Sequence, residues 1–195
     1  MSSASIPKVA ELFAREDAEF VNNALLFFEP QHPVMVNCLD QALEMGRNVQ
    51  WGDTGPRMLT RVLQQLGCIE RAVPPAVCYP IHWSHALEML RPSQTSALVE
   101  QTQSSLFLHL WNEMLRRVGI KKTNIPPKNS LLRGLIEQHQ VGGWMGEYDE
   151  RCVEELVIRY RDGLETTPRA TPAFRWNLPM RLNDFLRRSL KSSAA

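Results

Sequence analysis

Long apolar runs are missing from this sequence, as are paired cysteines, a dominant charge and any internal repeat. No apolar stretch approaches the ~20 residues that span a bilayer, and the opening Met1-Ser2-Ser3-Ala4-Ser5-Ile6-Pro7-Lys8 holds no apolar signal region. A cytoplasmic location is the expectation that follows. The 4 cysteines, Cys38, Cys68, Cys78 and Cys152, include no Cys-x-x-Cys pair. That spacing argues against a zinc ribbon or a disulfide framework and for reduced thiols. A net charge of +1 carries no overall nucleic-acid signature.

What is present suits one ordinary domain: 195 residues, 44% hydrophobic and 22% charged, enough to form a core. Charge is uneven along the chain. Beyond Thr166 the basic residues Arg169, Arg175, Arg181, Arg187, Arg188 and Lys191 face one acid, Asp184. Two units are expected: a globular part over residues 1–165, then a linker and basic amphipathic terminal helix over 166–195. Leu182, Phe185, Leu186 and Leu190 would line the inner side of that helix. Its arginines either snorkel while the helix docks on the domain, or make weak contact with an anionic membrane surface.

Periodicity predicts a helix over Lys8–Val21, with Asp17-Ala18-Glu19 on its solvated face, and a short buried strand over Ala24–Phe28. Pro33 and Pro56 suit first helical positions. Gly46 and Gly67 follow the periodic runs as stops. Val73–Ile81, with three prolines, should be extended. Arg91–Ser105 reads as loop. Ser84, Asn129 or Ser130, and Asp149 read as caps of later helices. His82 and His85 have metal-pair spacing, but no carboxylate stands with them.

Two stretches carry candidate chemistry. Trp51-Gly52-Asp53-Thr54-Gly55-Pro56 turns into a helix, so Asp53 or Thr54 sits at or before a helix N-terminus. There it either caps the helix or faces a polar or anionic ligand. Leu106–Trp111 alternates as a strand would: Phe107, His109 and Trp111 fall on one face, and Asn112 opens the next helix. His109 is either a hydrogen-bonded core histidine beside two aromatics or a ligand for a metal or a diphosphate.

Taken in order, Asn22-Asn23-Ala24, His32-Pro33, Trp51-Gly52-x-Thr54-Gly55-Pro56-x-x-Leu59-Thr60, Tyr79-Pro80-Ile81-x-Trp83 and His109-x-Trp111-Asn112 resemble a known family. It is the glycosyltransferase family with an Asp-x-Asp sugar-binding region. Its members include α-1,4-galactosyltransferase and α-1,6-mannosyltransferase types and bacterial capsule or lipopolysaccharide enzymes. The resemblance covers about residues 11 to 135 and matches the family's C-terminal half.

It implies an α/β fold, partial and GT-A-like, with few strands among many helices. It also implies a nucleotide-sugar donor, a glycan or lipid-linked acceptor, a divalent metal such as manganese, and transfer with retention. By the same resemblance His109 lies near metal and diphosphate, with Trp111 and Asn112 beside it. Asp53, Thr54, Gly55 and Pro56 line the sugar or acceptor side, and Asn23 lies near the donor sugar at the head of a central strand. The sequence departs from the family in having no Asp-x-Asp. The nucleotide-binding half is expected to be missing, and the donor site to need residues from outside this chain. A second reading is a non-catalytic carbohydrate-binding or interaction module, with Trp51, Tyr79, Trp83 and Trp111 stacking on sugar rings.

Overall fold

A computed structural model describes residues 10–47, 49–50 and 52–166 of the chain. The expected terminal helix, the linker and Trp51 lie outside the described residues.

The fold begins with a hairpin where a helix was expected. β1 (Glu11–Arg15) pairs antiparallel with β2 (Val21–Phe28). Leu12, Phe13 and Ala14 are consecutive and all buried, a pattern that a one-sided helix cannot satisfy and a strand between two packed bodies can. Phe13 enters a cluster with Val21, Val34, Met58, Val62 and Leu63. Ala14 enters another with Tyr79, Ile81, Leu87, Met89, Leu90 and Trp111. Asp17 sits in the hairpin turn rather than on a solvated helix, and its Oδ1 accepts from Glu19 N at 2.7 Å and Phe20 N at 2.8 Å.

Register runs Glu11↔Phe28, Leu12↔Phe27 and Phe13↔Leu26, then jumps to Arg15↔Val21. Asn22 to Leu25 therefore stand opposite Ala14 alone, a wide bulge of the kind that re-aims side chains near sites. Ala24–Phe28 was expected to be a buried strand, but Ala24 and Phe27 are exposed and Leu25, Leu26 and Phe28 are only partly covered.

α1 (Pro33–Met45) starts at its expected proline and is capped by His32, whose Nδ1 accepts from Val34 N at 3.3 Å. α2 (Pro56–Gln65) also starts on proline and buries Met58, Leu59, Val62 and Leu63 on one face. The three-proline stretch is not wholly extended, because Pro75 opens a single helical turn, α3 (Pro75–Cys78). A 3-10 helix over Trp83–Leu90 follows, capped by His82 rather than by Ser84.

The segment read as loop contains α4 (Thr95–Thr102), seated by buried Leu98 and by the Thr95 hydroxyl on Asn129 O. Leu106–Trp111 forms no strand: its described ladder bond is one contact, Leu106 N to Val77 O at 2.8 Å, and alternation without a neighbouring strand builds no sheet. α5 (Asn112–Arg117) follows directly. β3 (Asn124–Ile125) pairs in parallel with β4 (Gly146–Glu147) across α6 (Leu131–Gln138), which Ser130 caps as expected. α7 (Glu150–Thr166) closes the described chain, with Asp149 accepting from Cys152 N at its start.

α7 is fastened to the Trp83–Leu90 helix. Val153 and Val157 are buried, and Tyr160 donates its hydroxyl to Trp83 O at 3.0 Å. Glu88, 6% exposed, takes Arg91 at 2.8 Å and Arg161 at 2.5 Å. A carboxylate so deep needs partners, because leaving it bare would cost several kcal/mol on the order of the usual desolvation penalty.

Candidate functional site

The bulge in β2 separates two adjacent asparagines. Asn22 is 5% exposed and spends both ends of its amide inside the fold. Its Oδ1 accepts from Ala24 N at 2.7 Å, and its Nδ2 donates to Glu16 Oε2 at 2.5 Å. Asn23 is left exposed, and its amide faces Gly55, 3.5 Å from where a Cβ would stand. A Cβ at residue 55 would meet that amide in ordinary van der Waals contact.

Asn23, Thr54 and Gly55 share a cavity of about 260 Å³ whose floor is Cys38, Leu39, Met58 and Leu59. Thr54 is exposed and Pro56 is the first residue of α2. The capping role expected of Asp53 or Thr54 is not what the structure shows. Gly55 holds the cap position of α2 with no side-chain bond. Asp53 accepts from Gln50 N at 2.7 Å and pairs with Arg57 at 3.6 Å.

Two residues along β2, Leu25 N donates to the Tyr79 hydroxyl at 3.1 Å. Tyr79 is buried, and burial pushes its phenol up to about 12. Its ring lies 5.7 Å from the His109 ring and 6.0 Å from Trp111, while His109 and Trp111 are 4.3 Å apart. Trp111 is 6% exposed and donates its indole N–H to Ile81 O at 2.6 Å. It adopts a left-handed backbone at φ 46, uncommon for a bulky residue, and donates its own N–H to His109 Nδ1 at 3.0 Å. Asn112 is exposed on the first turn of α5.

Burial lowers the His109 pKa below its ordinary 6.5, so the ring is neutral at neutral pH. With Nδ1 accepting, the ring proton sits on Nε2, which then donates. His32 and His82 use the same device: each Nδ1 accepts from the N–H two residues on, and each Nε2 approaches a carboxylate, Glu11 at 3.4 Å and Asp17 at 3.9 Å. The Nε2 of His109 has no such carboxylate among the described residues.

These observations divide the expected site into two parts joined through β2. Asn23, Thr54 and Gly55 come together, and so do His109 and Trp111, with Asn112 next in the chain on α5. Tyr79 is the link that sequence reasoning missed. Its signal was the Tyr79-Pro80-Ile81 block, which was read as extended, as part of the family pattern and as a stacking ring, but not as a bond to β2. The stacking role imagined for Tyr79 and Trp111 is not available, since both rings are packed in the core.

The donor set among the described residues does not by itself fit a divalent ion. No group of three or more His, Cys, Asp or Glu suited to a metal occurs among the described residues. Ligation through Nε2 of His109 would also require moving its proton to Nδ1 and breaking the bond from Trp111 N.

The conserved-region profile described as "Alpha 1,4-glycosyltransferase conserved region" matches residues 27–139. This chain belongs to that family. Among its relatives, human lactosylceramide 4-alpha-galactosyltransferase is 28% identical over 118 residues, covering 53% of this chain and 33% of the relative. The mouse counterpart is 25% identical over 115 residues, covering 53% and 32%. Human alpha-1,4-N-acetylglucosaminyltransferase is 25% identical over 139 residues, covering 65% and 39%. The matched part of the chain thus spans between 32% and 39% of these relatives' lengths. No solved structure matches it. Among the described residues no helix is long and apolar enough to cross a membrane.

Proposed function

We propose that this alpha 1,4-glycosyltransferase family chain carries the sugar-facing part of a GT-A-like transferase site. The reaction moves a hexose from a nucleotide-sugar to a hydroxyl of a glycan or lipid-linked acceptor, with retention. The bond from the anomeric carbon to the diphosphate breaks, a bond to the acceptor oxygen forms, and the acceptor's proton leaves. A divalent ion such as manganese would offset charge on the departing diphosphate, with its ligands supplied from outside the described residues.

The chain's own residues then have distinct tasks. His109, neutral and held by Trp111 N–H, donates from Nε2 to an anionic oxygen of the donor. Asn23 offers both an amide donor and an acceptor to sugar hydroxyls across from Thr54 and Gly55. Trp111 and Tyr79 form the wall behind, fixing His109 without touching ligand. Asn112 stands beside His109 at the start of α5.

The single observation that carries this reading is the Leu25–Tyr79 bond, which ties the asparagine bulge to the ring pair of Tyr79 and His109. Isothermal titration of the full chain with UDP-galactose and UDP-N-acetylglucosamine, with and without manganese, tests it. Binding that is weakened in both Asn23→Ala and His109→Ala is the expected result. Oligosaccharide binding with no response to any nucleotide-sugar would replace this reading with that of a carbohydrate-binding module.

A further inference from the structure

The most exposed large apolar side chain described is Met145, at 84%, and it does not stand alone. Val141 is 51% exposed four residues earlier. Between them Trp144 turns its indole N–H back onto Val141 O at 2.8 Å. The loop is thus closed by its own polar group and presents its apolar ones outward. Gln140 at φ 55 and Gly143 at φ 91 give the reversals that make the tip.

The loop is attached beside a pair of lysines. Met145 N donates to Thr123 O at 2.7 Å, Gly146 pairs with Asn124, and Lys121 N donates to the Tyr148 hydroxyl at 2.9 Å. Lys121 and Lys122 are exposed, and neither ammonium is in an ion pair among the described residues. The acids nearby are largely occupied. Arg133 holds Glu137 and Glu147, Glu113 is taken by Arg116 and Arg117, and Asp149 caps α7. The result is an apolar tip just beyond the family's matched region, flanked by the positive charge of Lys121 and Lys122 within it.

We propose that residues 140–146, with Lys121 and Lys122, form a shallow docking surface for a lipid bilayer bearing anionic headgroups. Met145 and Val141 enter the interfacial layer. Trp144, an indole with its polar end satisfied, lies at headgroup depth, where such rings partition. The lysines meet the phosphates. Charge complementarity selects the bilayer: an apolar tip alone would suit a protein partner equally well, whereas paired unmatched lysines beside it favour an anionic plane. α5 runs directly from Trp111 and Asn112 toward the lysines, so docking would hold the candidate site close to the surface. The inference stands on the loop itself and does not depend on the donor-binding reading.

Co-sedimentation of the full chain with vesicles of phosphatidylcholine, and of phosphatidylcholine mixed with phosphatidylserine, tests it. The wild type should sediment with the mixed vesicles and much less with the neutral ones, and added salt should release it. Neutralising Lys121 and Lys122 to Gln should weaken binding roughly fivefold for each lysine. Met145→Asp should weaken it about tenfold.

All three residues are exposed, so thermal melts of these variants should match the wild type. If Met145→Asp melts lower, Met145→Ser takes its place. A full chain with Arg187→Gln, Arg188→Gln and Lys191→Gln separates the terminal basic stretch from the loop. Retained binding in that variant supports the loop, and loss confined to it overturns the proposal. Binding that ignores lipid charge, loop variants that sediment like the wild type, or loop variants that alter only self-association at rising protein concentration overturn it as well.

Discussion

Replacing Asn22 tests whether the bulge in β2 is built by one buried amide. In Asn22→Ala, Ala24 N–H loses its acceptor and Glu16 loses a donor at 2.5 Å. A hydrogen bond to a charged group contributes about 1.5–3 kcal/mol, and a neutral one about 1. Ala24 and part of Glu16 reach water, which returns some of that, so a net loss of about 2 kcal/mol is expected. In urea denaturation this moves the midpoint down by roughly 1 M, taking a slope of ~2 kcal/mol per molar.

Asn22→Asp isolates the donor. It keeps the acceptor for Ala24 N–H but sets a second carboxylate where the amide nitrogen met Glu16. Two carboxylates at that separation cannot both ionise, so the folded variant holds a proton to higher pH than the unfolded chain does. A group whose folded pKa is raised stabilises fully below its unfolded value, near ~4, and loses that contribution as pH rises. Asn22→Asp should therefore approach wild-type stability near pH 4 and fall below Asn22→Ala at pH 7. An Asn22→Asp deficit that is flat with pH, or an Asn22→Ala midpoint within error of wild type, would refute the reasoning.

The neighbouring Asn23→Ala should leave stability within ~0.5 kcal/mol, being exposed, yet lower nucleotide-sugar affinity in titration calorimetry. His109 has a depressed folded pKa, so its contribution is complete above 6.5 and is lost as pH falls through the lower folded value. Wild-type stability should drop between pH 7 and pH 5 in denaturant melts, and His109→Asn, which keeps an acceptor for Trp111 N–H, should drop less. Trp111→Phe strips Ile81 O of its partner and leaves a gap in the core. A loss of about 2–4 kcal/mol in chemical denaturation is expected. Glu88→Ala should cost about 2 kcal/mol, because it leaves the partly covered Arg91 with Glu154 alone and removes the partner of Arg161. Arg161→Ala should cost under ~1 kcal/mol, since Arg161 is 52% exposed and its pairing is screened.

Local chemistry was enough to place several elements from the sequence. Pro33 and Pro56 open helices because a fixed φ and a missing N–H suit the first turn, and Gly46 follows α1 at φ 57, where other residues are strained. Ser130 and Asp149 act as caps because a short oxygen-bearing side chain reaches a free N–H. The ordered blocks from Asn22 to Asn112 already pointed to the family that the conserved region then matched.

Tertiary structure alone decided the rest. Leu12 and Phe13 fit a helical period but became part of a strand, because clusters lie on both of its faces. Leu106 to Trp111 alternate, yet no neighbouring strand is described there to complete a ladder. Which asparagine is buried, which ring nitrogen of His109 carries the proton, and that Tyr79 joins the two halves of the site all depend on contacts between residues far apart in the chain. Such contacts follow from packing, and no window of sequence contains them.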